Sequence, residues 1–165
     1  MASMKENDMK AGRAGSEDSG IVSRSLDPLS LDNQLCFPLY AASRQVVKLY
    51  RPHLEEIGLT YTQYITMMVM WENGEMTVKG LGERLFLDSG TLTPVVKALE
   101  EKGLVKRERS VEDERVVIVR LLPAGQDLRA RALAVPEEVG ACINLQPDDA
   151  VQLYRLLHKV LEDVR

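Results

Sequence analysis

The sequence is poor in cysteine, histidine and aromatic residues, and it has no long apolar run and no excess of positive charge. Two cysteines, Cys36 and Cys142, in 165 residues do not make a disulfide scaffold, and a reducing cytoplasm is the default compartment. The two histidines, His53 and His158, stand apart from each other and from both cysteines. The paired spacing of a zinc site is missing, so neither metal nor cofactor is expected. Both histidines sit among helical charges and read as surface residues. No stretch approaches the ~20 apolar residues that span a bilayer, so neither a membrane protein nor a membrane partner is expected. MASMKENDMKAGRAG has no apolar segment after its charges, as a secretory leader would require. There is no C-x-x-C pair and no Ser/His/Asp order, so an enzyme is not expected. With 21 basic and 25 acidic residues the net charge is −4, which argues against nucleic acid only as an average.

What remains is an ordinary globular composition, 45% hydrophobic and 28% charged, with room for one domain and an arm. Residues 1–28 are rich in Gly, Ser, Lys and Glu and poor in large apolar groups. They cannot bury enough surface to offset their ordering entropy and read as a disordered arm; a partner-reaching arm is the alternative. From Leu29 apolar residues recur at three- and four-residue steps through Ile57, predicting a helix started by Ser30 or Asp32 and stopped by Gly58. Pro38 should bend its first two turns. A second helix, Thr60 to Glu72, is apolar on most sides and should be central, with Asn73-Gly74 as its stop. Met76 and Val78 suit a very short strand before a third helix ending near Phe86. Asp88-Ser89-Gly90 then turns into a helix with Leu92, Val95, Val96 and Leu99 on its buried stripe. Pro94 leaves its start open between Asp88 and Thr93.

The period then changes. LVKRERS alternates, RVVIVRLL is β-branched, and Val111–Glu114 is a polar turn between them, which predicts a β-hairpin. Pro123-Ala124-Gly125 punctuates the chain. Helical pattern returns from Gln126 to about Ala141, interrupted at Pro136, and again after Gln146.

Helix, turn, helix and hairpin make a winged helix-turn-helix. The fold expected is mainly α with a small β-wing. Residues 29–165 form the folded unit, with 60–122 binding DNA and 29–58 and 124–165 supplying dimerisation helices. The apolar stripes of those outer helices are too large for a small winged domain to cover, so they should interlock in a homodimer. Two recognition helices then meet successive major grooves of double-stranded DNA, roughly 34–36 Å apart, on a palindromic operator.

Ser89, Gly90, Thr91 and Thr93 near the recognition-helix start are small enough for close backbone approach, and Lys97 follows one turn later. Ser89 and Thr91 also suit simple capping. The hairpin region carries Lys102, Lys106, Arg107, Arg109, Arg115 and Arg120 against four carboxylates, leaving the rest of the chain acidic. A charged hairpin alone can be a solvated face; behind a helix-turn-helix it reads as a DNA contact. Asp113 can orient Arg115 at the wing tip for minor-groove entry.

MTVKGLGERLFLDSGTLTPVVKALEEKGLVKRERS with VEDERVVIVRLLPAG resembles the MarR family of winged-helix transcriptional regulators. LDNQLCFPLYAASR, followed by Tyr50 and Tyr61, resembles its organic-hydroperoxide-sensing branch, the OhrR repressors. The likeness covers about residues 31–162. It implies a repressor that leaves its operator when an organic hydroperoxide oxidises Cys36. It also implies that Tyr50 and Tyr61 hydrogen-bond to the sulfur, with Tyr40 nearby. A helix dipole and phenol hydrogens favour thiolate, the form that attacks a peroxide oxygen and becomes sulfenic acid. Taken alone, an apolar-flanked cysteine is more often a small core residue. The branch resemblance further implies that Cys142 closes an intersubunit disulfide with Cys36; a buried helix residue is the alternative for Cys142. A regulator that binds a small phenolic ligand non-covalently, with Cys36 inert, is the other reading of the same fold.

Overall fold

The computed structural model describes residues 27–164. Residues 1–26 and 165, and with them nearly all of the arm expected at 1–28, lie outside the described residues. The chain divides into two compact units between Ala41 and Ala42.

In the first unit, Leu31–Asn33 form a 3-10 turn, where the periodicity predicts continuous helix. Side chains hold it: Asn33 Nδ2 donates to the Asp27 carbonyl at 2.8 Å and Gln34 Nε2 to the Pro28 carbonyl at 2.6 Å. Helix α1, Cys36–Glu56, begins five residues after Leu31 and runs on into the second unit. Pro38 therefore lies in its first turn, where a backbone N–H has no helical partner, and the expected bend has no cause. The proline that does sit inside α1 is Pro52.

In the second unit α2, Tyr61–Asn73, starts at a full capping box. Thr60 accepts the Gln63 N–H, and the Gln63 side chain accepts the Thr60 N–H at 3.1 Å. Gly74 ends the helix at φ +74, a conformation easy for glycine. Strand β1, Glu75–Thr77, leads into α3, Val78–Leu85, and α4, Ser89–Glu101, follows after a tight turn. Strands β2, Val105–Arg109, and β3, Val117–Leu121, form the hairpin. The sheet has three strands in the order β1-β3-β2, all antiparallel: the short strand expected near Met76 is present and joins the hairpin, Glu75–Thr77 pairing with Ile118–Arg120.

Helix α5, Pro123–Ala132, opens on the proline that the sequence reading treats as punctuation. Proline at a first helical position costs no hydrogen bond. Gly125 lets the helix touch the sheet: a Cβ there would stand 2.2 Å from the Leu104 carbonyl oxygen. Trp71 Nε1 donates to the Gly125 carbonyl at 2.7 Å, tying α2 to α5. Helices α6, Val135–Ala141, and α7, Pro147–Asp163, complete the chain, with the break at Leu133-Ala134 and Pro136 inside the first turn of α6.

The core gathers Met67 and Met70 of α2, Leu81 of α3, Leu92, Val96 and Leu99 of α4, Val105 and Val119 of the sheet, and Val135 and Val139 of α6. Each such side chain contributes roughly 1.5–3 kcal/mol on burial. Helix α7 buries no residue, although Val151, Tyr154, Leu157 and Leu161 recur along it.

Candidate nucleic-acid interface and thiol sensor

The start of α4 is fixed by Asp88. Its carboxylate accepts the Thr91 N–H at 2.9 Å and the Thr91 hydroxyl at 2.8 Å, which holds the acid below the usual carboxylate range. Thr91 is thus part of the cap, as simple capping requires. Thr93 turns its hydroxyl onto the Ser89 carbonyl at 2.6 Å. Ser89, Gly90, Thr91 and Thr93 are all exposed, with α4 helical from Ser89 onward despite Pro94. Lys97, also exposed, stands 3.8 Å from Glu101.

A cleft of about 1210 Å³ separates α3 and α4 from the wing, with Lys79, Ser89, Thr93, Arg107 and Arg115 in its walls. The Arg115 side chain is 90% exposed, and Asp113 holds it through bonds at 3.0 Å to the backbone N–H and 3.1 Å to Nε. Those same bonds pull the Asp113 carboxyl below its ordinary value. Arg109 donates to the Glu114 carbonyl at 2.8 Å. Arg107 is turned onto Glu100 of α4, which locks β2 to the recognition helix.

The basic set expected of the hairpin is therefore dispersed. Lys106 pairs with Glu108 at 2.6 Å, and Arg120 pairs with both Glu75 and Glu108. Lys102 leaves the wing altogether and donates to the Gly58 carbonyl and to Gln63. At the tip, Arg109 and Arg115 bond within the turn, to the Glu114 carbonyl and to Asp113.

Cys36 is the first residue of α1 and is exposed, as are its neighbours Leu35, Phe37 and Tyr40. Tyr40 lies one helical turn further on. In the second unit Tyr50 meets Tyr61 edge-on, with ring centroids 5.1 Å apart. Tyr64 extends the cluster, 5.9 Å from Tyr50 and 6.4 Å from Trp71, a role that its place on a mostly apolar helix did not single out. Burial pushes the Tyr61 and Tyr64 phenols up, with Tyr50 adding to the effect.

Cys142 caps the C-terminus of α6 and is exposed in the single chain, not buried within it as the alternative reading has it. Its sulfur donates to the Glu138 carbonyl at 3.4 Å. One turn earlier, Glu138 Oε2 meets His53 Nδ1 at 2.7 Å. His53 is one-quarter exposed, a half-buried link between α1 and α6 and not the surface residue expected. His158 is exposed and stacks near Tyr154. Among the described residues there is no cluster of metal-ligating side chains and no helix long and apolar enough to cross a membrane.

The sequence matches the family model "Transcriptional regulator SarA/Rot" over residues 48–130. It is 42% identical to the organic hydroperoxide resistance transcriptional regulator of Bacillus subtilis, over 86% of this chain and 96% of that protein. The chain belongs to the MarR family of winged-helix transcriptional regulators, in the branch of the organic hydroperoxide regulators. Two solved structures fit this membership. Overoxidised AbfR bound to DNA, a protein of Staphylococcus epidermidis, is 37% identical with a TM-score of 0.67, covering 82% of this chain and 95% of that one. Disulfide-formed AbfR is 36% identical with a TM-score of 0.57, covering 81% and 91%. These relatives are regulators and not enzymes.

Proposed function

We propose that this chain is a cytoplasmic DNA-binding transcriptional repressor that leaves a palindromic operator when an organic hydroperoxide oxidises Cys36. The observation that carries the reading is an exposed thiol at the first position of α1 in a chain that also presents an open recognition-helix start and a carboxylate-oriented wing arginine. Ser89, Gly90, Thr91, Thr93 and Lys97 meet the major groove and its phosphates, while Arg109 and the Asp113–Arg115 pair enter the minor groove. Arg107 serves the same surface by fixing the wing on α4.

The chemistry balances in two steps. The Cys36 thiolate attacks one peroxide oxygen, an S–O bond forms, the O–O bond breaks, and the alkoxide takes a proton and departs as alcohol. The thiol of Cys142 of the partner subunit then attacks the sulfenic sulfur, an S–S bond forms, and water leaves. Residues 29–58 and 124–165 serve as the dimerisation region and 60–122 as the DNA reader. The apolar face of α7, unburied in the single chain, supports a partner copy there.

The alternative, a non-covalent phenolic inducer, has one observation in its favour. A cavity of about 240 Å³ lies beside Tyr64, Met68 and Trp71. Gel shift with Cys36→Ser separates the two. The variant should hold operator DNA after cumene hydroperoxide, while the wild type releases it and rebinds after dithiothreitol. Release of the variant by hydroperoxide would remove the sensor role.

A further inference from the structure

Lys102 follows the last helical residue of α4, yet its ammonium points away from the DNA cleft. Nζ donates to the Gly58 carbonyl at 2.6 Å and to Gln63 Oε1 at 2.7 Å. Gly58 lies just beyond α1, in the left-handed turn that joins α1 to α2. Gln63 is the third residue of α2 and is buried. Its Oε1 also accepts the Thr60 N–H at 3.1 Å, so both lone pairs of one buried oxygen are used. One atom thus joins the cap of α2 to the C-terminal end of the recognition helix.

We infer that Lys102 is a positioning residue that couples the tyrosine cluster to α4; the inference rests on the sensor reading above. Tyr61 is the first residue of α2, and its ring sits against Tyr50. Any change that parts those rings moves the first turn of α2, and Gln63 with it. A shift of about one ångström at Oε1 lengthens a bond of 2.7 Å past its useful range. Lys102 then loses one of its two fixed acceptors, and the end of α4 is free to reorient. A lysine suits this task because its acceptors are neutral oxygens: the link is strong enough to define a position and weak enough to give way.

The test is the ratio of operator Kd after oxidation by cumene hydroperoxide to Kd in dithiothreitol, measured on the full chain for wild type and Lys102→Met. The ratio should fall at least about fivefold in the variant. An unchanged ratio, with both affinities weakened by one factor, shows a purely structural clamp and overturns the inference. If Lys102→Met does not fold, amide hydrogen exchange of the wild type decides. Oxidation should speed exchange at Thr60 and at Gly103-Leu104, and unaltered exchange there overturns the coupling. A wild-type ratio of one removes the sensor reading and the inference together. A wild-type ratio above one that Lys102→Met retains removes only the inference.

Discussion

Arg107 on β2 holds Glu100 on α4 by three bonds: its backbone N–H at 2.8 Å, Nε at 2.8 Å and a terminal nitrogen at 2.7 Å. The wing is therefore tied to the recognition helix at this point. The bonds from Arg107, side chain first and backbone second, hold the Glu100 carboxyl below its ordinary value of 4.5, against a smaller opposing effect of burial. A lowered folded value means that the stabilisation is complete above the ordinary value and is lost as pH falls through the lowered one. Glu100→Gln should cost about 1 kcal/mol or less at neutral pH, since both side chains are about one-third exposed. Below pH 4 the difference between variant and wild type should shrink. Urea melts at several pH values check this, and a gap that widens in acid refutes it.

Gly125→Ala should destabilise the protein by about 2–4 kcal/mol. The added carbon would stand 2.2 Å from the Leu104 carbonyl oxygen and 2.8 Å from Leu121 Cδ1, so α5 must lift off the sheet. The Trp71 bond to the Gly125 carbonyl should lengthen with it. Denaturant titration gives the loss, and Trp71, the single tryptophan, reports the displacement by its fluorescence. Wild-type stability with a shifted spectrum would contradict the packing argument.

Arg115→Ala tests the wing tip. The side chain is almost wholly exposed and its loss disturbs no core contact, so thermal stability should stay within about 0.5 kcal/mol. Operator affinity should fall, and the slope of log K against log salt should drop by about 1 per wing if the guanidinium meets a phosphate. A drop in affinity with the slope intact would place Arg115 on base edges instead.

These residues also show where local pattern suffices. Thr60, Gln63 and Gly74 announce both ends of α2 because capping is decided within one turn, and Leu92, Val96 and Leu99 announce the buried side of α4 by spacing. The short strand at Met76 is legible, but its partner is not, because Glu75–Thr77 pairs with residues more than forty positions away. Pro123 marks the boundary between β3 and α5 as expected, but α5 starts on it and not at Gln126, because proline serves both turns and first helical positions. The destinations of Lys102, Arg107 and His53 are long-range choices among carbonyls and carboxylates that composition cannot rank. The place of Cys142 just beyond α6 follows from the helical pattern that ends near Ala141, but that of Cys36 as the first residue of α1 does not, because the periodicity runs unbroken through Leu31–Asn33.

Cys142→Ser separates the two oxidative steps. The serine keeps the hydrogen bond to the Glu138 carbonyl that the thiol makes at 3.4 Å, so α6 and the His53–Glu138 link should persist. With one equivalent of cumene hydroperoxide the wild type should run as a covalent dimer on a non-reducing gel. The variant should stay at monomer mass and gain one oxygen at Cys36, trappable by dimedone. Operator release should still occur in the variant if the first oxidation is enough to part the readers. It should require added small thiol if a disulfide of any kind is needed. A wild-type protein whose Cys142 remains alkylatable after complete oxidation of Cys36 would show that the second thiol takes no part, and an external thiol would then have to resolve the sulfenic acid.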